Sequence, residues 1–413
     1  MTICGLLNKF LKRIHCYERY FKMDELTRYI KKLFMRILLS PMKFLPLKKN
    51  RVLLVNNLSL NYSDNLKYIA AYLMENYTGK FEIFFAVKDP SHFTGPVALG
   101  MRPIKFNSRQ YFYIGMTSHV LVTNSGGFSY LPLRKTQYII NTCHGGGSYK
   151  KAGIHMFTNS WLFRKDLQLS AKHTDAFMST CTRCSETLSE SLLIPRKVFW
   201  EVGMPRNDIL IRGDEKLRET VREKLGLRPD EKLVLFAPTY RKPNDNYFKN
   251  SVAISYGIDV KRTCEALNQR FGGNFRFAIR FHPCVTNRKE CATDGMMDLT
   301  DYEDMQELLL AADVMINDFS SSMWDFMLTG RPSFLFAIDL EHYIQTTEVY
   351  TPVSEWPFPA STNNDELERN ILEFDEEKYA EDCRCHYQSL GGCETGEATK
   401  LACKRISDIC YPP

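Results

Sequence analysis

Three groups of residues in this sequence have the types and spacing to bind and move a phosphoryl group. The first lies in "DVMINDFSSSMWDFMLTGRPSFLFAID", residues 313–339. Val314, Met315 and Ile316 form a short apolar run of strand character. Asp318 stands where such a strand ends, and Ser320, Ser321 and Ser322 open a helical pattern that contains Asp325. The first N–H groups of a helix lack partners and its dipole favours negative charge, so hydroxyls placed there can complete a phosphate cradle. The same serines also suit ordinary N-capping, which needs only one of them.

The second group follows the apolar run "QYIIN". His144 precedes Gly145, Gly146, Gly147 and Ser148, a stretch whose backbone can approach a ligand without a Cβ in the way. A histidine there can take a proton from an attacking hydroxyl near neutral pH, or can be a structural residue beside a turn. Lys150 and Lys151 fit phosphate neutralisation and ordinary solvated lysines equally well. In the third group His282 closes "FRFAIRF" with Arg280 two residues earlier, a pair able to hold a pyrophosphate; a buried structural histidine is the other reading. Pro238, Thr239 and Arg241 close a further apolar run, and Arg206 sits in "GMPRND", where a salt bridge to Asp208 or an interdomain role is the plainer reading. The sequence holds no convincing DxD pair, GxxxxGK[ST] loop or HExxH, so nothing in it requires a metal or another cofactor. Phosphate charge would then fall to Arg, His, Ser and backbone N–H groups.

The elements that must position these residues are parallel strands. With 413 residues and 44% hydrophobic content the chain can bury two cores. "RVLLVNN", "FEIFFAV", "SHVLVTN" and "QYIIN" read as strands of one domain, and "KLVLFAP", "FRFAIRF", "DVMIND" and "PSFLFAI" as strands of another, with helical stretches between them. The expected fold class is α/β, with two Rossmann-like doubly wound domains facing a cleft. The expected domains are a basic segment at 1–50, an acceptor-side domain at 51–200 and a donor-binding domain at 201–413, with a linker near 195–212. "GEATKLACKRISDIC" is expected to cross back to the first domain. Open α/β sheets bind ligands at the C-terminal ends of their strands, which is where every group above falls.

Charge is concentrated at one end. Residues 1–51 carry thirteen Lys or Arg against Glu18, Asp24 and Glu25, whereas the whole chain has a net charge of +6. Leu6, Leu7, Phe10, Leu11 and Ile14, and then Leu26, Tyr29, Ile30, Leu33, Phe34, Ile37 and Leu38, recur at helical spacing among Lys and Arg. These runs are shorter than the roughly 20 residues that span a bilayer. They fit a basic amphipathic helix pair lying on an anionic membrane, or stripes packed on the protein's own core. The stripes are aliphatic and no nucleic-acid module is recognisable, so nucleic acid is not an expected partner. No cleavable signal peptide is evident, and the thirteen scattered cysteines suit reduced thiols. The body is therefore expected at the cytoplasmic face of the membrane. Cys181, Cys184, Cys383, Cys385 and His386 lack the paired spacing of a zinc site. Oligomeric state leaves no trace in the pattern.

Residues 318–325 resemble the "DYSSxxFD" signature of the CDP-glycerol glycerophosphotransferase family, which builds teichoic acids and related phosphate-linked polymers. "NTCHGGGSYKKAG" at 141–153, "GMPRNDIL" at 203–210, "LFAPTYR" at 235–241 and "IRFHP" at 279–283 resemble the family's other blocks, in its order. The resemblance spans about residues 50–410. It implies a fold of the GT-B type and transfer of an alditol phosphate from CDP-glycerol, or another CDP-alditol, to a lipid-linked or polysaccharide acceptor. It also implies His144 as base, with Arg206, Pro238, Thr239, Arg241, Ser320, Ser321 and Asp325 at the donor. The first block departs from the usual "WHGTPLKxxG" form: Cys143 stands for the tryptophan, and Gly146, Gly147 and Ser148 for Thr, Pro and Leu.

Overall fold

The computed structural model describes residues 25–93, 97, 99–156, 160–239, 256–282, 285 and 295–412. Two parallel sheets organise the chain. The first comprises β1 (Lys48–Val55), β2 (Glu82–Val87), β3 (Arg102–Lys105), β4 (Ser118–Thr123), β5 (Tyr138–Asn141), β6 (Ala176–Ser179) and β7 (Phe199–Glu201), in the order β3-β2-β1-β4-β5-β6-β7. The second comprises β8 (Glu231–Phe236), β9 (Asn274–Ile279), β10 (Met296–Asp298), β11 (Val314–Asn317), β12 (Ser333–Phe336) and β13 (Ala360–Ser361), in the order β10-β9-β8-β11-β12-β13. Every pairing is parallel.

Such sheets must be covered on both faces, and the strand sequences show why these are. Along β1, Val52 and Leu54 enter one core while Leu53 and Val55 enter another on the opposite face. Along β8, Val234 and Phe236 face one core, and Leu233 and Leu235 the other. Each fully buried side chain of this size contributes about 1.5–3 kcal/mol. All eight strands expected from the sequence are present, with ends shifted by at most three residues. The five others, β3, β6, β7, β10 and β13, have two to four residues each, too short for a periodic signal.

The helices that bear on function are α1 (Glu25–Leu39), α2 (Asp64–Asn76), α3 (Trp161–Ala171), α4 (Thr182–Leu192), α5 (Met305–Ala311), α6 (Ser322–Met327), α7 (Glu376–Ser389) and α8 (Ala398–Cys410). α8 buries Ala402, Cys403, Ile406 and Cys410 in the core that holds Leu66, Ile69 and Leu73 of α2. The CxxC pair has a local role, since Cys181 Sγ accepts from the backbone N–H of Cys184 at 3.3 Å and caps α4.

Residues 1–24, with the first apolar stripe, lie outside the described residues. The second stripe is seen in α1, and its orientation runs against the reading in which that stripe packs on the protein's own core. Polar groups hold this helix to the first domain: Lys32 pairs with Asp166 of α3 at 2.5 Å, and Arg36 donates to the carbonyls of Ser129 and Leu131 at 2.9 and 2.8 Å. Met35 and Leu39 are its buried residues. Leu26, Ile30, Phe34 and Ile37 point outward, Ile37 being 73% exposed, and Phe44 just beyond is 93% exposed. Among the described residues no helix is long and apolar enough to cross a membrane.

Candidate functional site

In each sheet the strand order reverses once, between β1 and β4 and between β8 and β11, and a crevice opens at the C-terminal side of such a switch point. Side chains tie both crevices. In the second sheet Asp318 accepts from Thr239 N–H at 2.9 Å and from its hydroxyl at 2.8 Å. In the first, Asn124 Oδ1 accepts from Asn57 N–H at 3.0 Å.

The loop after β5 carries His144. Three residues of this loop, Cys143, Gly147 and Ser148, have φ of 56°, 71° and 56°, a left-handed stretch that costs energy at the two non-glycine positions. His144 is exposed, whereas Thr142, Cys143 and residues 146–149 around it are buried. Its Nδ1 lies 3.1 Å from the carbonyl oxygen of Asn124. A carbonyl can only accept, so in neutral His144 the proton sits on Nδ1 and the lone pair on Nε2. Burial lowers the pKa of His144; the Asp64 carboxylate and the Asn124 carbonyl oppose the shift, and Arg206 reinforces it.

Cationic groups from both domains act on His282. Burial lowers its pKa to about 4, with further lowering from Lys150 of the first domain and Arg280 of the second. His282 is therefore neutral near pH 7 and sits in a positive field. Arg280 Nη2 donates to the Tyr302 carbonyl at 2.9 Å.

The serines divide the work that the sequence left open. Ser320 Oγ accepts from the Ser322 N–H at 3.4 Å and its hydroxyl at 3.0 Å, the capping role. Ser321 makes no side-chain cap bond and turns toward the histidine loop, where its Oγ lies 3.7 Å from the point a Cβ on Gly145 would occupy. Gly145 and Ser321 thus bring the two domains together.

Several residues expected at the donor have partners within the protein. Gly146 and Gly147 let the loop lie against Trp324: a Cβ at Gly146 would fall 2.2 Å from Trp324 Cδ1. Ser148 is buried and its hydroxyl meets that of Thr187 at 2.5 Å. Asp318 and Pro238 are buried, so Asp318 shapes the crevice by holding Thr239. Arg206 pairs with Asp64 and Asp325, both at 2.8 Å, and not with Asp208. Asp325 is 2% exposed, its oxygens taken by Arg206, Asn207 and Gln306. Arg241 lies outside the described residues.

This seam adds residues that the sequence reading missed. Glu394, just before α8, accepts from the Met204 N–H at 3.0 Å and from Asn207 Nδ2 at 2.8 Å, and burial pushes its pKa up to about 8. Asn65 accepts from the Arg206 N–H at 3.1 Å and donates to the Cys143 carbonyl at 3.0 Å. Lys67 of α2 pairs with Asp304 and Glu307 of the second domain at 3.1 and 2.5 Å. The local signal for the first two residues of α2 was a Ser-Asp-Asn run opening an amphipathic helix, which reads as capping alone.

Two doubly wound domains, with crevices at their switch points and a histidine loop of one set against the serine turn of the other, define a GT-B-like α/β protein. The chain belongs to the CDP-Glycerol:Poly(glycerophosphate) glycerophosphotransferase family, whose model matches residues 37–407. It is 25% identical over 353 residues to a teichoic acid poly(glycerol phosphate) polymerase of Staphylococcus epidermidis, covering 82% of this chain and 48% of that protein. It is 28% identical over 284 residues to a teichoic acid glycerol-phosphate transferase of Staphylococcus aureus, covering 66% and 71%. The chain thus spans about half the length of the first relative. A solved structure of the wall teichoic acid polymerase TagF superposes with a TM-score of 0.78 at 22% identity, covering 95% of this chain and 98% of that one. This likeness shows the shared fold.

Proposed function

We propose that this protein transfers an alditol phosphate, glycerol phosphate foremost, from a CDP-alditol to a hydroxyl of a lipid-linked or polysaccharide acceptor. CMP is released, and the product is a phosphodiester of teichoic acid or a related surface polymer. The family match over nearly the whole chain supports the donor class. The observation that carries the mechanism is the Nδ1 contact of His144, which leaves Nε2 to act as base.

In this reading the acceptor oxygen forms a bond to the phosphorus bearing the glycerol, and the bond from that phosphorus to the bridging oxygen of CMP breaks. The acceptor proton passes to Nε2 of His144, a contribution of about 10²–10⁴ in rate. CMP departs with its charge met by Lys150, Arg280 and His282; in the free protein burial, reinforced by the positive field of Lys150 and Arg280, keeps His282 neutral. A bound pyrophosphate reverses the sign of that field. Ser321 and the backbone of 320–322 contact the donor phosphates, while Thr239 is presented by Asp318. Arg206, Asp325 and Ser148 act indirectly, by fixing the domains and the histidine loop.

The outward stripe of α1, flanked by Lys31 and Lys43, seats the protein on the cytoplasmic face of an anionic membrane, where lipid-linked acceptors lie. Incubation of the purified chain with CDP-glycerol, CDP-ribitol or a UDP-sugar and a lipid-linked acceptor tests the proposal. Release of CMP with a phosphodiester product is expected. Release of CDP or UDP would make it a glycosyltransferase, and a folded chain releasing no nucleotide would be a non-catalytic adaptor.

A further inference from the structure

We infer that Asp64 is a positioning residue that orients His144 through Asn124. The inference rests on His144 being the base of the transfer proposed above. It begins with backbone geometry: Asp64 opens α2 at φ 60°, a left-handed conformation that aspartate enters more readily than most residues with a Cβ but that departs from the helix it starts. Capping does not account for it, because Ser63 at the cap makes no side-chain cap bond. The conformation instead accompanies a carboxylate turned out of its own helix. Oδ2 accepts from Asn124 Nδ2 at 2.5 Å and Oδ1 from Arg206 Nη1 at 2.8 Å.

Asn124 is fully buried and held on its other sides by Asn56 Oδ1, 2.8 Å from its Nδ2, and by the Asn57 N–H. Its backbone carbonyl is the group that meets His144 Nδ1. Asp64 therefore locks the residue whose carbonyl selects the imidazole tautomer. Asn65, next in sequence, donates to the carbonyls of Thr142 and Cys143 and holds the backbone leading to the same ring. One turn of α2 thus governs both the position and the protonation site of the base. The charge of Asp64 also reaches the ring, favouring the imidazolium that forms when the base takes its proton, against burial and Arg206. A carboxylate serving only to neutralise Arg206 would need neither the Asn124 contact nor this proximity.

The test is Asp64→Asn in the full chain, followed by NMR of ¹⁵N-histidine-labelled protein, with His144→Gln to assign the signal. A carboxamide cannot accept from both neighbours, since its NH₂ must face either Arg206 or the Asn124 amide. In the unsubstituted protein, neutral His144 is expected to carry its proton on Nδ1. In Asp64→Asn the proton affinity of His144 should fall at least about threefold, or the Nε2–H tautomer appear. Turnover should fall roughly ten- to hundredfold, as when other orienting partners are removed, with KM for CDP-glycerol within about twofold. A folded Asp64→Asn protein with unchanged His144 signals would overturn the inference, even if turnover fell. So would a neutral His144 carrying its proton on Nε2 in the unsubstituted protein, a result that needs no variant to fold. Altered signals in a protein that never releases CMP would keep Asp64 as the residue orienting the ring and sink the proposed reaction instead.

Discussion

Arg206 Nη2 and Asp325 Oδ2 lie 2.8 Å apart in the seam between the two sheets, with side chains 8% and 3% exposed. Through Asp64 on one side and Asn207, Gln306 and Glu394 beyond, this pair ties the segment after β7 to elements of both sheets. Burial alone would lower the Arg206 pKa, but the two carboxylates outweigh it and raise it.

Removing one partner leaves a buried charge without compensation. Arg206→Ala and Asp325→Ala should each destabilise the protein by about 3–5 kcal/mol, and the double variant by less than their sum. Urea unfolding measures both. An Arg206→Ala protein of unchanged stability with weakened CDP-glycerol binding would return Arg206 to the donor phosphates.

Glu394 should give stability an inverse dependence on pH. Its folded pKa is raised to about 8, so between the ordinary glutamate value near 4.5 and pH 8 the folded state binds the extra proton. The contribution is full below that window and is lost as pH rises through it. Comparing unfolding free energies at pH 5.5 and 8.5, the fall across the window should be smaller in Glu394→Gln than in the unsubstituted protein. An equal fall in both would show that Glu394 ionises as freely folded as unfolded.

In the proposed reaction His144 can act as base only when neutral. Because burial lowers its pKa below 6.5, kcat/KM should hold down to about pH 6.5 and be lost as pH falls through the lowered value. His144→Gln should cut kcat by about 10²–10⁴ at pH 7.5, with its thermal midpoint little changed. CMP release across pH 5–8 reads both effects, and near-normal turnover in the variant would remove His144 from the mechanism.

The outward face of α1 should bind lipid. Replacing Ile30, Phe34 and Ile37 by Ser removes apolar area without touching Met35, Leu39, Lys32 or Arg36, which hold the helix in place. Sedimentation with phosphatidylglycerol vesicles should fall at least about tenfold, while soluble-acceptor turnover stays constant. Unchanged sedimentation would place the membrane contact elsewhere.

Local patterns in the sequence were enough for the elements and not for their meetings. Val52–Val55 and Leu233–Phe236 read as buried strands because an apolar run covered on both sides needs no distant information. The amphipathic spacing of α1 was equally plain, yet its orientation was not. Which side of a helix faces the protein depends on Asp166 and the carbonyls of Ser129 and Leu131, more than ninety residues away. The glycines after His144 read as room for a ligand, whereas the Cβ-free surface of Gly146 and Gly147 is filled by Trp324 of the other domain.

By itself the sequence determined two parallel-sheet domains, the ends of their main strands, and the placement of His144, Thr239, His282 and Ser320–Ser322 at those ends, because strand and helix periodicity is a short-range property. The tertiary structure alone decided which polar groups face the cleft and which are consumed in holding it. A buried charge must find its counter-charge, and the partners of Arg206 come from Asp64, 142 residues earlier, and Asp325, beyond four further strands. No local pattern records that pairing; the folded seam does.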